Sequence, residues 1–137
     1  MKEPNAISID PEVLTHLAKV STATIGMQLY KRSYRRCYLG GVKPLHPGTA
    51  SFVAPAFTLR NIPMREDVDD MAILGDPEYP QRSAIGTTPS GYCPVNDACA
   101  NVTAGTIGDI LAERLRVQGV TAAVTDDAVR DSGDLEA

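Results

Sequence analysis

Long apolar runs are missing from this 137-residue chain. None approaches the roughly 18 consecutive apolar residues that a membrane helix needs, so no transmembrane helix is expected. The opening stretch MKEPNAISIDPEV has no apolar signal core, which argues against a secretory leader. Cysteine is scarce: Cys37, Cys93 and Cys99 form an odd set without CxxC spacing. That excludes a disulfide framework and leaves reduced thiols in a cytoplasmic protein as the simplest account. Histidine is scarcer still, and His16 and His46 stand too far apart to read as a metal motif. No Walker loop, dinucleotide fingerprint, Cys-His nucleophile arrangement, internal repeat or low-complexity tract is present. With 13 Lys+Arg against 17 Asp+Glu the net charge is −4, which argues against general nucleic-acid binding.

What is there suits one domain with a real core, with 43% of residues apolar. Asp10-Pro11 is an N-cap followed by Pro at the first helical position, opening a short helix with Leu14, Leu17 and Ala18 on one face. Ser21 or Thr22 caps a second helix with Ile25, Leu29 and Tyr30 inward. The segment KRSYRR, Lys31 to Arg36, has two readings: a contact for RNA or phosphate, and a solvated helix end, which the helix dipole favours. Gly40 to Gly48 is a loop. Ser51 to Arg60 reads as a strand, with Pro55 implying an edge or bulge. Pro63 to Gly86 reads as a loop around a short helix near Val68–Leu74. Its acids Glu66, Asp67, Asp69 and Asp70 lack calcium-loop spacing and read as a solvated face. A strand is wanted at Tyr92 to Asp97, although Pro94 and Asn96 fit one poorly; Ala98 to Gly108 reads as a loop.

The chemistry concentrates in GDILAERLRVQGVTAAVTDDAVRD, Gly108 to Asp131, where twenty residues separate Asp109 from the pair Arg130-Asp131. Ile110, Leu111, Leu115 and Val117 have helical spacing, Gly119 terminates the helix, and Val120 to Val124 reads as a buried, parallel strand. About ten helical residues rise roughly 15 Å and five or six strand residues return a similar distance. Asp109 and Arg130-Asp131 should therefore meet at one edge. The helix N-terminus offers free N–H groups for an anion such as a carboxylate. Arg130 adds a planar donor fork, and Asp109 with Asp131 could share a hard divalent cation through waters. The competing reading is ordinary capping by Asp109 and a surface Arg130–Asp131 ion pair.

The stretches VSTATIGMQLYKR, GVKPLHPG, FVAPAFTLR, AGTIGDILAERLRVQGVTAAVTD and AVRD together resemble the RraA-like family. That family includes regulators of RNase E activity and metal-dependent 4-hydroxy-4-methyl-2-oxoglutarate aldolases. Asp109 followed by twenty residues and Arg130-Asp131 matches the aldolase signature. The resemblance implies an α/β fold, a swivelling-domain-like sandwich of the RraA type, as a single domain over residues 1–137. Its N-terminal helices would lie at about 10–32 and its sheet and site region at about 40–131. It implies trimers or hexamers with interfacial sites, and a class II aldolase or decarboxylase acting on small 2-oxo acids through a pyruvate enolate, oxaloacetate included. Gly108, Asp109, Ile110 and Leu111 would hold the substrate with Arg130. Asp131 would bind Mg²⁺ or Mn²⁺ directly and Asp109 through water, with Arg130 and Asp131 as the catalytic pair.

Several positions depart from the family. Ser33, Ala54, Ala98 and Asp127 stand where the family has glycine, and a β-carbon at Asp127 is expected to disturb the turn before Arg130. Pro94 and Asn96 interrupt a strand that the family keeps apolar, and the family's usual C-terminal section is expected to be lacking. These departures keep an alternative open, a non-catalytic regulator that binds an RNase or helicase partner by its surface.

Overall fold

Two short helices begin the structure, and their ends follow from capping. The structure is a computed structural model describing residues 8–65, 67–133 and 135, so the N-terminal stretch before Ser8 and the acid Glu66 fall outside the described residues. Helix α1 (Pro11–Leu17) is capped by Asp10, whose carboxylate accepts from Glu12 N at 2.9 Å, with Pro11 at the first helical position. Helix α2 (Thr22–Lys31) is capped by Ser21. It ends with Ser33 N–H donating to Tyr30 O and Tyr34 N–H to Leu29 O, the two bonds of a Schellman motif. That motif needs a left-handed residue, and Ser33 supplies it at φ 71°. Ile25 and Leu29 are half-buried as expected, but Tyr30 is exposed rather than inward.

The expected strand at Ser51–Arg60 forms only as β1 (Ala56–Arg60), after Pro55, and it lies at a sheet edge. The expected loop from Pro63 to Gly86 is a correction. Besides the short helix α3 (Met71–Gly75), capped by Asp70, it contains α4 (Pro80–Thr87). The polar, glycine-bearing PQRSAIGT hides that helix from a reading of periodicity, yet Pro80 starts it and its Ala84 and Ile85 are buried.

Strand β2 (Cys93–Asp97) is the centre of a three-stranded parallel sheet, ordered β1-β2-β4, despite Pro94 and Asn96. The reason is local. Cys93 N–H donates to Pro55 O on the β1 side, so the next residue turns its amide position toward β4 (Val124–Thr125). The β4 ladder starts only at Val95–Val124, and Pro94 therefore costs no ladder bond there. Asn96 is buried, and its side chain is fully used. It donates to Thr106 Oγ1 at 2.9 Å and Thr125 Oγ1 at 3.4 Å, and accepts from Asn61 Nδ2 at 3.0 Å. A buried amide with all partners present is tolerated where an unpaired one would cost a few kcal/mol. Here it ties three segments together.

Two further corrections bear on the site. The expected loop at Ala98–Gly108 contains a strand, β3 (Gly105–Ile107). Of the expected strand at Val120–Val124 only Val124 lies in a strand, as the first residue of β4. Arg130 and Asp131 follow a separate strand, β5 (Ala128–Val129), which pairs in parallel with β3 as a second small sheet. Helix α5 (Asp109–Val117) connects the two halves and ends at Gly119, φ 74°, in a second Schellman pair: Gly119 N–H to Arg116 O and Val120 N–H to Leu115 O. The α4 and α5 helices pack together, with Gln118 Nε2 donating to Gly86 O at 2.7 Å. Ala84, Ile85, Cys93, Ala98, Ile107 and Leu115 form the buried apolar core. Burial pushes the Cys93 thiol up to about 11, so it packs as a small apolar side chain rather than as a thiolate. Among the described residues no helix is long and apolar enough to cross a membrane.

Candidate functional site at the start of α5

The start of α5 is built by three segments. Strand β3 runs into Gly108, which caps the helix from an extended conformation and brings no side-chain hydrogen bond to the first turn. Strand β5 runs beside β3, and Arg130 N–H extends the ladder to Ile107 O at 2.9 Å. Arg130 and Asp131 are thereby delivered to the helix start, as the spacing of the sequence anticipates, although through β5 rather than β4.

Two glycines make the floor. A β-carbon on Gly105 would collide with Arg130 Cγ and lie 3.2 Å from Ala128 O. One on Gly108 would lie 3.1 Å from Asp131 Oδ2 and 3.8 Å from Arg130 Nε. The Arg130 side chain thus crosses the faces of both glycines, and the Asp131 carboxylate rests against the residue that caps α5. Gly105 was not among the expected site residues; the signal that points to it is GTIG, two glycines three apart immediately before the helix. Gly105→Ala should displace Arg130 and cost about 1–3 kcal/mol by overpacking. Thermal melts should show that loss, whereas Gly86→Ala, with nothing within 4 Å of its β-carbon position, should not.

Asp131 adopts φ 56°, in the left-handed region that costs most side-chain-bearing residues about 1–2 kcal/mol and costs Asp less. Asp109 is exposed on the first turn, and its Oδ1 accepts from Ile110 N at 2.7 Å. The Ile110 amide, one of the two expected to receive a substrate carboxylate, is therefore already paired. The amides of Asp109 and Leu111 have no acceptor among the described residues. Gly108 is buried, Leu111 half-buried and Ile110 76% exposed. The Asp131 carboxylate and the Arg130 side chain thus lie against Gly108, and Asp109 and the open helix amides follow it on the first turn of α5. This donor set suits a hard, oxygen-liganded divalent cation beside an anionic substrate.

The loop between β2 and β3, which leads into the N-terminal end of β3, is held by Asp126, the second residue before β5. Asp126 accepts from Ala98 N at 2.7 Å and Ala100 N at 2.8 Å, and these backbone hydrogen bonds hold its carboxyl below the usual range. Cys99 and Ala100 both have positive φ, 59° and 53°. Asp127, expected to disturb its turn, has ordinary backbone angles and instead accepts from Ala128 N at 2.6 Å. His46 and Asp67, which the sequence did not place in the site, are engaged elsewhere. His46 Nε2 is hydrogen-bonded to Leu135 O, and Asp67 pairs with Arg65, which holds its carboxyl below the usual range. Among the described residues no group of three or more His, Cys, Asp or Glu is placed to share a metal ion.

Comparison with known proteins agrees with this architecture. A family model for RraA-like proteins, described as Aldolase/RraA, matches residues 17–137. The chain belongs to the RraA-like family. Among solved structures it is similar to Streptomyces coelicolor RraAS2, described as an unusual member of the RNase ES inhibitor RraA protein family. That match has a TM-score of 0.78 and 29% identity, and covers 93% of this chain and 59% of RraAS2. An uncharacterised protein from Pseudomonas syringae pv. tomato matches at TM-score 0.73 and 23% identity, over 98% of this chain and 56% of that one. At that identity the likeness shows the fold alone. The chain spans less than two thirds of the length of either structure. A search of curated proteins returned no significant match. The RraA-like family holds both metal-dependent aldolases and non-catalytic RNase inhibitors, so membership places the chain in a fold and leaves its activity to the site. Ser33 illustrates the family relation: it occupies a left-handed position where the resemblance puts glycine, and the Schellman bonds hold it there.

Proposed function

We propose that the protein is a divalent-metal-dependent carbon–carbon lyase, an aldolase or decarboxylase acting on small 2-oxo acids such as oxaloacetate. The observation that carries this reading is the packing of Arg130 and Asp131 over the Gly105–Gly108 floor, beside Asp109 on the first turn of α5. The Leu111 amide, joined by that of Ile110 once the Asp109 carboxylate turns away, receives the substrate carboxylate. Asp131 would hold Mg²⁺ or Mn²⁺ directly, and Asp109 would reach it through water. Such a cation, when bound, supplies Lewis-acid stabilisation of developing negative charge. Arg130 faces the oxygen that becomes negative as the carbon–carbon bond breaks, and its fixed charge stabilises that oxygen without a lysine Schiff base.

The test is release of pyruvate from oxaloacetate with Mg²⁺, with and without EDTA. Activity is expected above the uncatalysed rate, lost in EDTA and restored by Mg²⁺ or Mn²⁺. Activity that persists in chelator, or is trapped by borohydride, counts against the proposal. A second reading, a non-catalytic regulator, draws support from the likeness to RraAS2. It is favoured if the folded protein releases no pyruvate yet binds an RNase or helicase partner.

RraA-family proteins are typically oligomeric, and we propose a trimer in which a neighbouring copy covers the site. Exposed apolar side chains support this, with Ile110 76% exposed on the site turn and Val102 68% exposed in the loop held by Asp126. Sedimentation equilibrium at micromolar concentration should give three times the 14.6 kDa chain mass; a monomer would contradict an interfacial site.

A further inference from the structure

The mild net charge hides a strong asymmetry. Between Val13 and Arg65 the sequence contains no Asp or Glu at all, while eight of the 13 Lys+Arg lie there. All 17 acids lie outside that span. The cations are densest from Tyr30 to Tyr38, at the end of α2, and tyrosines are interleaved with them.

The side chains in this segment are laid out on the surface. Tyr30, Tyr34 and Tyr38 are 56%, 62% and 84% exposed. The Arg35 guanidinium sits 4.3 Å from the centroid of the Tyr30 ring, so a flat cation is already stacked on an aromatic face. Arg32 is used locally, donating to Gln28 O at 3.1 Å. Lys31, Arg35 and Arg36 have no carboxylate within ion-pair distance among the described residues. A solvated helix end accounts for the cations, but it does not account for three exposed tyrosines among them. Apolar side chains exposed singly need no explanation, but three aromatic rings clustered among cations form the kind of patch that marks an interaction site.

We propose that Tyr30–Tyr38 is a binding surface for a single-stranded polynucleotide, with the phosphates on Lys31, Arg35 and Arg36 and the bases stacked on the tyrosines. Single-stranded nucleic acid is recognised by this combination, because every base has a flat face and every linkage a negative charge. An acidic peptide would satisfy the cations but leave the rings without stacking partners, which is why the polynucleotide is the better fit. The net charge of −4 does not oppose this, since its acids lie outside the segment. The surface shares no residue with the start of α5 and does not rest on the lyase reading.

The test is fluorescence anisotropy of the full chain with a labelled 15-nucleotide oligouridine at 50 mM salt, alongside oligodeoxythymidine, a duplex of equal length and polyglutamate. Binding in the micromolar range is expected for the single strands; the preference between uridine and thymidine strands tells whether RNA or DNA is the natural source. The affinity should fall with salt with a logarithmic slope of about −2 for three phosphate contacts. Tyr34→Ala and Tyr38→Ala should each weaken binding about tenfold or more, while keeping that slope. Lys31→Ala and Arg36→Ala should each shallow the slope by about 0.7. Arg114→Ala, an exposed cation on α5, should change neither, and circular dichroism should show every variant folded. The proposal is overturned by no binding at 100 µM, by equal binding of the duplex, by polyglutamate competing as well as oligouridine, or by tyrosine variants that bind like the parent.

Discussion

Arg130→Ala is expected to lower kcat for pyruvate release by roughly 10²–10³-fold, the usual effect of removing one donor aimed at a developing oxyanion. The physical reason is differential. The guanidinium acts on charge that grows as the bond breaks, so its loss affects the transition state more than the bound substrate, and kcat should fall more than KM rises. Arg130 is held for this by its surroundings: its backbone is in the β3–β5 ladder through Ile107 O, and its side chain crosses two glycines that leave it room. Arg130→Lys keeps the charge but loses the planar fork, and should recover only part of the loss. If Arg130→Ala keeps near-full kcat in a folded protein, Arg130 is a surface cation and the lyase proposal loses its electrostatic element.

Asp131→Gly should separate function from fold. The residue sits at φ 56°, where glycine meets no steric penalty, while a glycine adds about 0.5–1 kcal/mol of unfolded-state entropy. These effects oppose each other, so the melting temperature should move by only a few degrees. The carboxylate, however, is gone, and with it the direct ligand proposed for the cation. Half-maximal activation should shift to much higher Mg²⁺, with activity partly recovered in excess metal. Asp131→Ala should show the same metal defect with lower stability than Asp131→Gly, because its β-carbon stays in the left-handed region, which Ala tolerates less well than Asp or Gly. A Mg²⁺ activation midpoint unchanged in Asp131→Gly would remove Asp131 from the metal site and make its backbone angle a feature of the turn alone.

The helices capped by Asp10 and Ser21 were legible because caps and Pro at the first position are local signals, and α5 was legible from its 3.6-residue spacing and the Gly119 terminator. The spacing anticipated that Arg130 and Asp131 return to the start of α5, but not the route: the expected strand Val120–Val124 does not carry them, and β5 does. What was misread depends on distant partners. Helix α4 has little periodicity of its own and is specified by burying Ala84 and Ile85 beside α5. Strand β2 carries Pro94 and Asn96, which look wrong until the late start of β4 and the side chains of Asn61, Thr106 and Thr125 come into place.

By itself, then, the sequence determined helices α1, α2 and α5, the caps of the first two, the arrival of Arg130-Asp131 near the start of α5, and the membership of the RraA-like family. Only the tertiary structure decided that Arg130 arrives on β5 beside β3, that Gly105 and Gly108 form the floor beneath it, and that Asp109 already occupies the Ile110 amide. The physical reason is that caps and periodicity act over a few residues. Strand pairing, the clearance above a glycine and the satisfaction of a buried amide are instead contacts between segments, and their energies depend on what the rest of the chain brings alongside.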